Sequence, residues 1–311
     1  LPEQQPNSIH SADLTPQPGA LAGSATVRAP GVCGELVQGM LGDSHFLVTC
    51  PVDFFARVRV DIREESSGVR GPAHCPKAAA AVTHTLAFLG KPQLGAEVSV
   101  SNPIPRGKGF GSSSADVAAA IAATGFALGV KLTPGQIGQV AIEIEPTDGI
   151  MFPGIALFDH REGLRSEQLG LPLPMEIVAL DFGGEVDTLA FNREDRRLEW
   201  QAISGETSRA LEMVREGLKL RDTGLVAKGA THSALAAQKV LFKPRLSEVL
   251  EFAESVGAVG INVAHSGTAI GVLLDATQRR GKSTYRMTQR TFPDAEAVHH
   301  LRLLGGGVQR V

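Results

Sequence analysis

One tryptophan and one tyrosine among 311 residues leave little with which to stack nucleobases. A net charge of −3 and a pI near 6.3 offer no basic face to a phosphodiester backbone or an anionic membrane. Cysteine is also scarce. Cys33, Cys50 and Cys75 are scattered without a CxxC pairing, which excludes a disulfide framework and a zinc knuckle and favours a reducing cytoplasm. No apolar run approaches the length of a membrane-spanning helix. These absences predict a cytoplasmic protein with no nucleic-acid and no membrane partner; a homodimer stays open. What is present is an ordinary core-forming composition, 43% apolar and 20% charged, in a chain long enough for two domains.

Residues 1–24 are rich in Pro, Gln, Ser and Ala and lack the basic start and compact apolar stretch of a signal peptide. They read as a flexible tail, with order beginning near Ala25. A short strand is expected over 25–29, running into the turn-rich Pro30–Gly34, and a buried strand over 45–53. Residues 55–63 alternate, with Val58, Val60 and Ile62 opposite Arg57, Arg59, Asp61 and Arg63, as in a half-solvated antiparallel strand. A helix over 76–89 and a strand over 97–104 follow. A further helix covers 113–128, with Val117, Ile121 and Leu128 at helical spacing. The next has a sharp start: Thr133 as N-cap, Pro134 at N1 and Gln136 completing a capping box, with Pro146 beyond its end. Loops are expected over 146–174 and a strand over 176–182. Helices follow at 202–219, 223–238 and 246–256, then a hairpin with arms near 258–263 and 269–274. A last strand and helix fill 283–304. Antiparallel strands mixed with helices make this an α+β pattern, divided as a tail (1–24), an N-terminal domain (25–172) and a C-terminal domain (173–311).

The segment Ile104-Pro105-Arg106-Gly107-Lys108-Gly109-Phe110-Gly111-Ser112-Ser113-Ser114-Ala115 sets three alternating glycines before three serines at the head of an Ala-rich helix. Glycine permits positive φ and a close backbone approach. Successive N–H groups in such a turn form an anion nest, and the free N–H groups of a helix start favour phosphate. Serine hydroxyls suit phosphate oxygens or Mg²⁺. The segment is not a Walker A loop, because Lys108 sits between glycines rather than before Ser or Thr, and the GxGxG spacing is not that of a dinucleotide fold. The residues alone leave a second reading open, a Gly-rich connection whose serines merely cap the helix.

Pro105, Gly109, Phe110, Gly111, Ser112, Ser113, Ser114 and Ala115 resemble the second motif of the GHMP kinases, P-x-x-x-G-L-G-S-S-A-A, with Phe110 for Leu and Ser114 for Ala. Residues 28–39 resemble the family's first motif. Residues 257–274 resemble the third, its glycine-rich run reduced to Ser266-Gly267-Thr268. Further cues are Cys33–Gly39, Cys50–Asp53, Glu145–Asp148 and Asp181–Thr188. They are similar to the group that phosphorylates L-threonine to O-phospho-L-threonine in adenosylcobalamin biosynthesis, with a homoserine or other small-alcohol kinase as the alternative. The resemblance implies a two-domain fold, an N-terminal part like ribosomal protein S5 domain 2 and a ferredoxin-like C-terminal part. It implies ATP and Mg²⁺ as cofactors and a small hydroxyl-bearing amino acid as partner, with the triphosphate over 107–114.

The same resemblance assigns roles. Pro105, Gly107, Lys108, Gly109, Phe110, Gly111, Ser112, Ser113, Ser114 and Ala115 are the nucleotide-binding candidates. Asp148 is the candidate catalytic base, or else a ligand of Mg²⁺ or of the substrate amine; its ordinary alternative is a turn-forming Asx residue. Glu145 with Ser113, or with Ser112 or Ser114, is the candidate metal pair. Glu35, Gln38, Asp53, Ser266, Gly267 and Thr268 are the substrate candidates. Among them, Glu35 or Asp53 would hold the ammonium, and Arg28 or Arg106 would meet a carboxylate or the phosphates. Cys33 could line the pocket, and His265 could close over it. His232 reads as a packing residue, and His299-His300 as a pair on a terminal helix.

Overall fold

Only Gly42 and Asp43 separate the first two strands, and the tight turn they form sends the chain back on itself for its longest antiparallel pairing. The computed structural model describes residues 21–64, 68–184 and 196–311. Strand β1 spans Leu21–Leu41 and β2 spans Ser44–Arg63. What reads as separate short strands is therefore one long hairpin. The expected break at Pro30–Gly34 is a stretch of register shifts between Pro30 and Val37, where bulges absorb a residue without a donor and bend the strand. Residues 1–20 of the expected tail lie outside the described residues. Leu21–Ser24 belong to β1, with Leu21 opposite Arg63 and Ser24 opposite Asp61.

The remaining elements are β3 (Val69–Arg70), α1 (Pro76–Phe88), β4 (Gly95–Ser101), α2 (Ser112–Ala127), α3 (Pro134–Ile142), β5 (Ile155–Phe158), β6 (Ser166–Gly170) and β7 (Met175–Asp181), and then α4 (Arg197–Ala202), α5 (Ser204–Leu220), α6 (Thr223–Ala237), α7 (Leu246–Ser255), β8 (Gly260–Val263), β9 (Ile270–Asp275), α8 (Gly281–Thr291), β10 (Ala297–Arg302) and β11 (Gln309–Arg310). The strands join in the order β10-β7-β9-β8-β1-β2-β4-β3, antiparallel except for β3 with β4. The α+β class is as expected. Two expectations fail. Residues 146–174 contain the β5–β6 hairpin, which four apolar residues and a polar arm are too short to announce. His299 and His300 stand on strand β10, not on a helix.

The alternation of β2 puts Val58, Val60 and Ile62 into the core. There they meet α2, whose alanines let the helix lie close against β1 and β2. A second cluster packs α7 residues Val249 and Phe252 against Val178, Ile261 and Val272 of the C-terminal strands. Pairing of β1 with β8 is reduced to one register pair, Glu35 with Val263. Among the described residues no helix is long and apolar enough to cross a membrane.

Helix α3 begins as its sequence dictates. The Thr133 hydroxyl accepts from Gln136 N at 3.3 Å, and the Gln136 side chain accepts from Thr133 N at 2.9 Å. Replacing Thr133 by Ala removes one bond of this box. The expected loss is roughly 0.5–2 kcal/mol of stability, seen as a lower urea midpoint at unchanged m-value.

Candidate active site

Gly107, Gly109 and Gly111 all take positive φ, at 68°, 90° and 67°. The loop they form is tied down by its carbonyls. Lys108 O accepts from Thr268 N at 3.1 Å and from Ala269 N at 3.0 Å; Phe110 O accepts from Val32 N at 3.0 Å and Gly109 O from Gly34 N at 3.3 Å. Gly111 is the left-handed N-cap of α2, and no side chain caps the helix. The three serines are engaged elsewhere. Ser112 Oγ accepts from Asn102 Nδ2 at 3.0 Å, Ser113 Oγ donates to Glu145 Oε1, and Ser114 Oγ accepts from Asp148 N at 3.2 Å. The capping alternative for these serines therefore fails. The head of α2 has no side-chain cap and sets its positive dipole end beside the loop, an arrangement that favours an anion.

The loop and helix head line a cleft of about 290 Å³. Glu145 lies buried in it, between the Ser113 hydroxyl and Lys77, whose Nζ is 2.5 Å from Glu145 Oε2. A buried carboxylate and a hydroxyl, all oxygen donors, fit a hard cation such as Mg²⁺. Among the described residues no cluster of three or more His, Cys, Asp or Glu forms a metal cage. Any cation here would thus take further ligands from phosphate or water.

Asp148 lines the same cleft, half-buried, beside Gly111. Burial pushes its carboxyl up to about 6, with the charge of Glu145 adding to the rise and the Ser114 hydroxyl opposing it. Glu35 is buried deeper. Burial and the nearby Asp148 charge push its carboxyl well above the ordinary range. Sequence reasoning missed Lys77 and Asp116. Lys77 sits in the first turn of α1, and its partner Glu145 is 68 residues away. Asp116, buried on α2, has its carboxyl raised by burial and accepts from Asn102 Nδ2 at 2.8 Å. Arg106 reaches the Cys75 sulfur at 2.7 Å and stands 3.8 Å from Asp116.

Glu35, Leu47, Thr147, His160 and His265, all buried, and the half-buried Ser266 also line the cleft. Gln38 does not line it. Its side-chain oxygen meets His265 Nδ1 at 2.7 Å, so it orients that ring, which also stacks on Trp200. Four other candidates are placed away from the cleft. Asp53 is exposed and accepts from Arg302 N at 2.9 Å. Lys108 spends its charge on Glu296 at 2.9 Å and Asp181 at 3.3 Å. Arg28 bonds Gln309 and lies over the Phe55 ring. Thr268 turns its hydroxyl to Asp181 at 2.7 Å. Phe110 lines the cleft, but its side chain is fully buried against Phe54 and His299, so only its backbone is available there. Gly267 braces the loop from behind, with its carbonyl accepting from buried Lys243 at 2.6 Å. Cys33 is buried, and its thiol is pushed up to about 12 by burial and by Glu35. Residues 185–188 of the Asp181–Thr188 cue lie outside the described residues.

The GHMP kinases N-terminal domain matches residues 76–154, which hold the loop, α2, Glu145 and Asp148. A relative from Salmonella typhimurium is 32% identical over 293 residues, 92% of this chain and 95% of its own length. The chain belongs to the GHMP kinase family and is an ATP-dependent phosphotransferase acting on an alcohol group. That relative is an L-threonine kinase. An L-threonine kinase of Citrobacter freundii is 31% identical over 92% of this chain and 99% of its own. The fold matches a homoserine kinase structure from Cytophaga hutchinsonii with a TM-score of 0.69 at 16% identity, covering 96% of this chain and 100% of that one.

Proposed function

We propose that the protein transfers the γ-phosphoryl group of ATP to the hydroxyl of L-threonine, giving O-phospho-L-threonine and ADP. The observation that carries this reading is Asp148, a carboxyl with its pKa raised to about 6, lining the same cleft as the glycine loop and lying beside Gly111. In that position it is largely ionised at neutral pH yet basic enough to take a proton in the transition state. The threonine hydroxyl gives its proton to Asp148, its oxygen forms the bond to the γ-phosphorus, and the bond to the β–γ bridging oxygen breaks as ADP leaves. Phosphoryl transfer asks the protein chiefly for position and charge. The backbone of Gly107–Gly111 and the head of α2 would hold the triphosphate. Ser113 and Glu145 would hold Mg²⁺, which when bound supplies charge neutralisation at the phosphoryl oxygens. Lys77, now on Glu145, stands ready to turn to phosphate when a cation takes its place. The similarity to threonine kinases supports the acceptor, and the resemblance in sequence supports a role in adenosylcobalamin assembly.

A coupled ADP-release assay with L-threonine, L-homoserine, L-serine and glycerol checks the acceptor. Threonine should give the highest kcat/KM. A higher value for homoserine would replace threonine, and ADP release indifferent to any alcohol would end the reading.

A further inference from the structure

The buried lining of the cleft carries polar atoms that the protein leaves without partners. Glu35 Oε2, Thr147 Oγ1 and both ring nitrogens of His160 are buried and make no hydrogen bond. Their residues are 4%, 2% and 3% exposed, so bulk water does not reach them freely. Each such atom costs stability unless something at the site meets it. All three residues line the same pocket, and Leu47 adds an apolar wall. Burial, with the His265, Arg161 and His45 charges adding, holds the His160 ring well below its ordinary pKa, so it is neutral and offers one N–H and one lone pair.

The backbone of His160 is held firmly. It follows β5, and its carbonyl accepts from Thr147 N at 3.0 Å. The turn after it is fixed by Asp159, whose carboxylate accepts from Ser44 Oγ at 2.9 Å and from the N–H groups of Arg161 and Glu162. The ring meets His265 edge-on at 5.0 Å and His45 at 6.0 Å. A polar group pinned this way, and left unmatched, is suited to recognition rather than packing.

We propose that this pocket reads the zwitterion of the acceptor, with His160 donating its ring N–H to the substrate carboxylate and the Glu35 carboxyl accepting from the ammonium. His160 is then the residue that makes the enzyme select an α-amino acid over an amino alcohol without the carboxylate. The methyl of threonine rests on Leu47, and its hydroxyl points back to Asp148. The inference rests on the amino-acid acceptor proposed above and extends it to a named determinant of specificity. A site built to hydrogen-bond a group rejects an analogue lacking it because its buried polar atoms stay unmatched.

The test compares L-threonine with (R)-1-amino-2-propanol, which keeps the ammonium, hydroxyl and methyl and lacks the carboxylate altogether. Wild-type enzyme, His160→Phe and His160→Gln are assayed with both acceptors, and the ATP KM is measured for each. In the wild type, threonine should be preferred. His160→Phe should raise the threonine KM by ~10–100-fold, leave the ATP KM in place and change turnover of the amino alcohol little, so the preference collapses. His160→Gln, which keeps an N–H donor, should recover much of it. An unaltered threonine-to-amino-alcohol ratio in the Phe variant overturns the inference and leaves the acceptor reading standing. Equal losses on both acceptors, with a raised ATP KM, assign His160 to packing and overturn it as well. If the wild type uses neither acceptor, the amino-acid reading itself is lost, and the inference with it.

Discussion

Asp148→Asn should lower kcat by ~10²–10⁴-fold while leaving the ATP KM close to wild type. The amide keeps the size of the side chain but cannot accept the hydroxyl proton. The same carboxyl, with its pKa at about 6, should impose an acid limb on the wild-type kcat/KM profile, with activity falling as pH drops through that value. Stability should move the other way. The carboxyl rises from 3.8 unfolded to about 6 folded, so the native state holds its proton more tightly than the unfolded chain. Folding is therefore penalised for keeping this group charged; the penalty grows from pH 3.8 and is full above about 6. The neutral Asn escapes it, so the variant should be more stable at pH 7, by on the order of 1–3 kcal/mol, and lose that advantage below pH 4. A variant with wild-type turnover would remove Asp148 from proton transfer.

Gly109→Ala should weaken nucleotide binding by ~10–100-fold through backbone strain and loop displacement. Gly109 holds φ at 90°, and a Cβ there would stand 2.2 Å from Ala264 Cβ and 2.8 Å from Ser266 O. Neither neighbour is a flexible side-chain end, so the loop itself must shift. Gly42→Ala is the matched control. Its φ is 62°, also unfavourable to alanine, but nothing lies within 4 Å and it sits in the β1–β2 turn. Calorimetric titration with a non-hydrolysable ATP analogue should show the loss in Gly109→Ala and not in Gly42→Ala. Equal affinities for all three proteins would detach the loop from the phosphates.

Local signals carried much of this architecture. The start of α3 is written in Thr133, Pro134 and Gln136, each acting within one turn. The alternation of β2 and the glycine-serine loop are likewise readable because neighbours in sequence do the work. What failed to show was long-range. Nothing in Cys75-Pro76-Lys77 says that the lysine will meet Glu145, and nothing around Lys108 says that Asp181 and Glu296 will neutralise it. Asp53 looked like a substrate ligand only until the β10 backbone took its carboxylate. The strand 297–302 is too short for its period to be told from a helix, so His299 and His300 were legible as a pair but not as neighbours of opposite orientation. His160, a single histidine after a four-residue strand, carries no pattern at all.

The carbonyl of Lys108 receives two amide protons from residues 268 and 269, more than 150 positions downstream. The glycine loop is thus co-owned by distant parts of the polypeptide. Chimaeras between this enzyme and its relatives should respect that ownership: a crossover anywhere between the two segments pairs a loop from one parent with a buttress from the other. Shuffling that carries both segments from a single donor keeps the stitch intact.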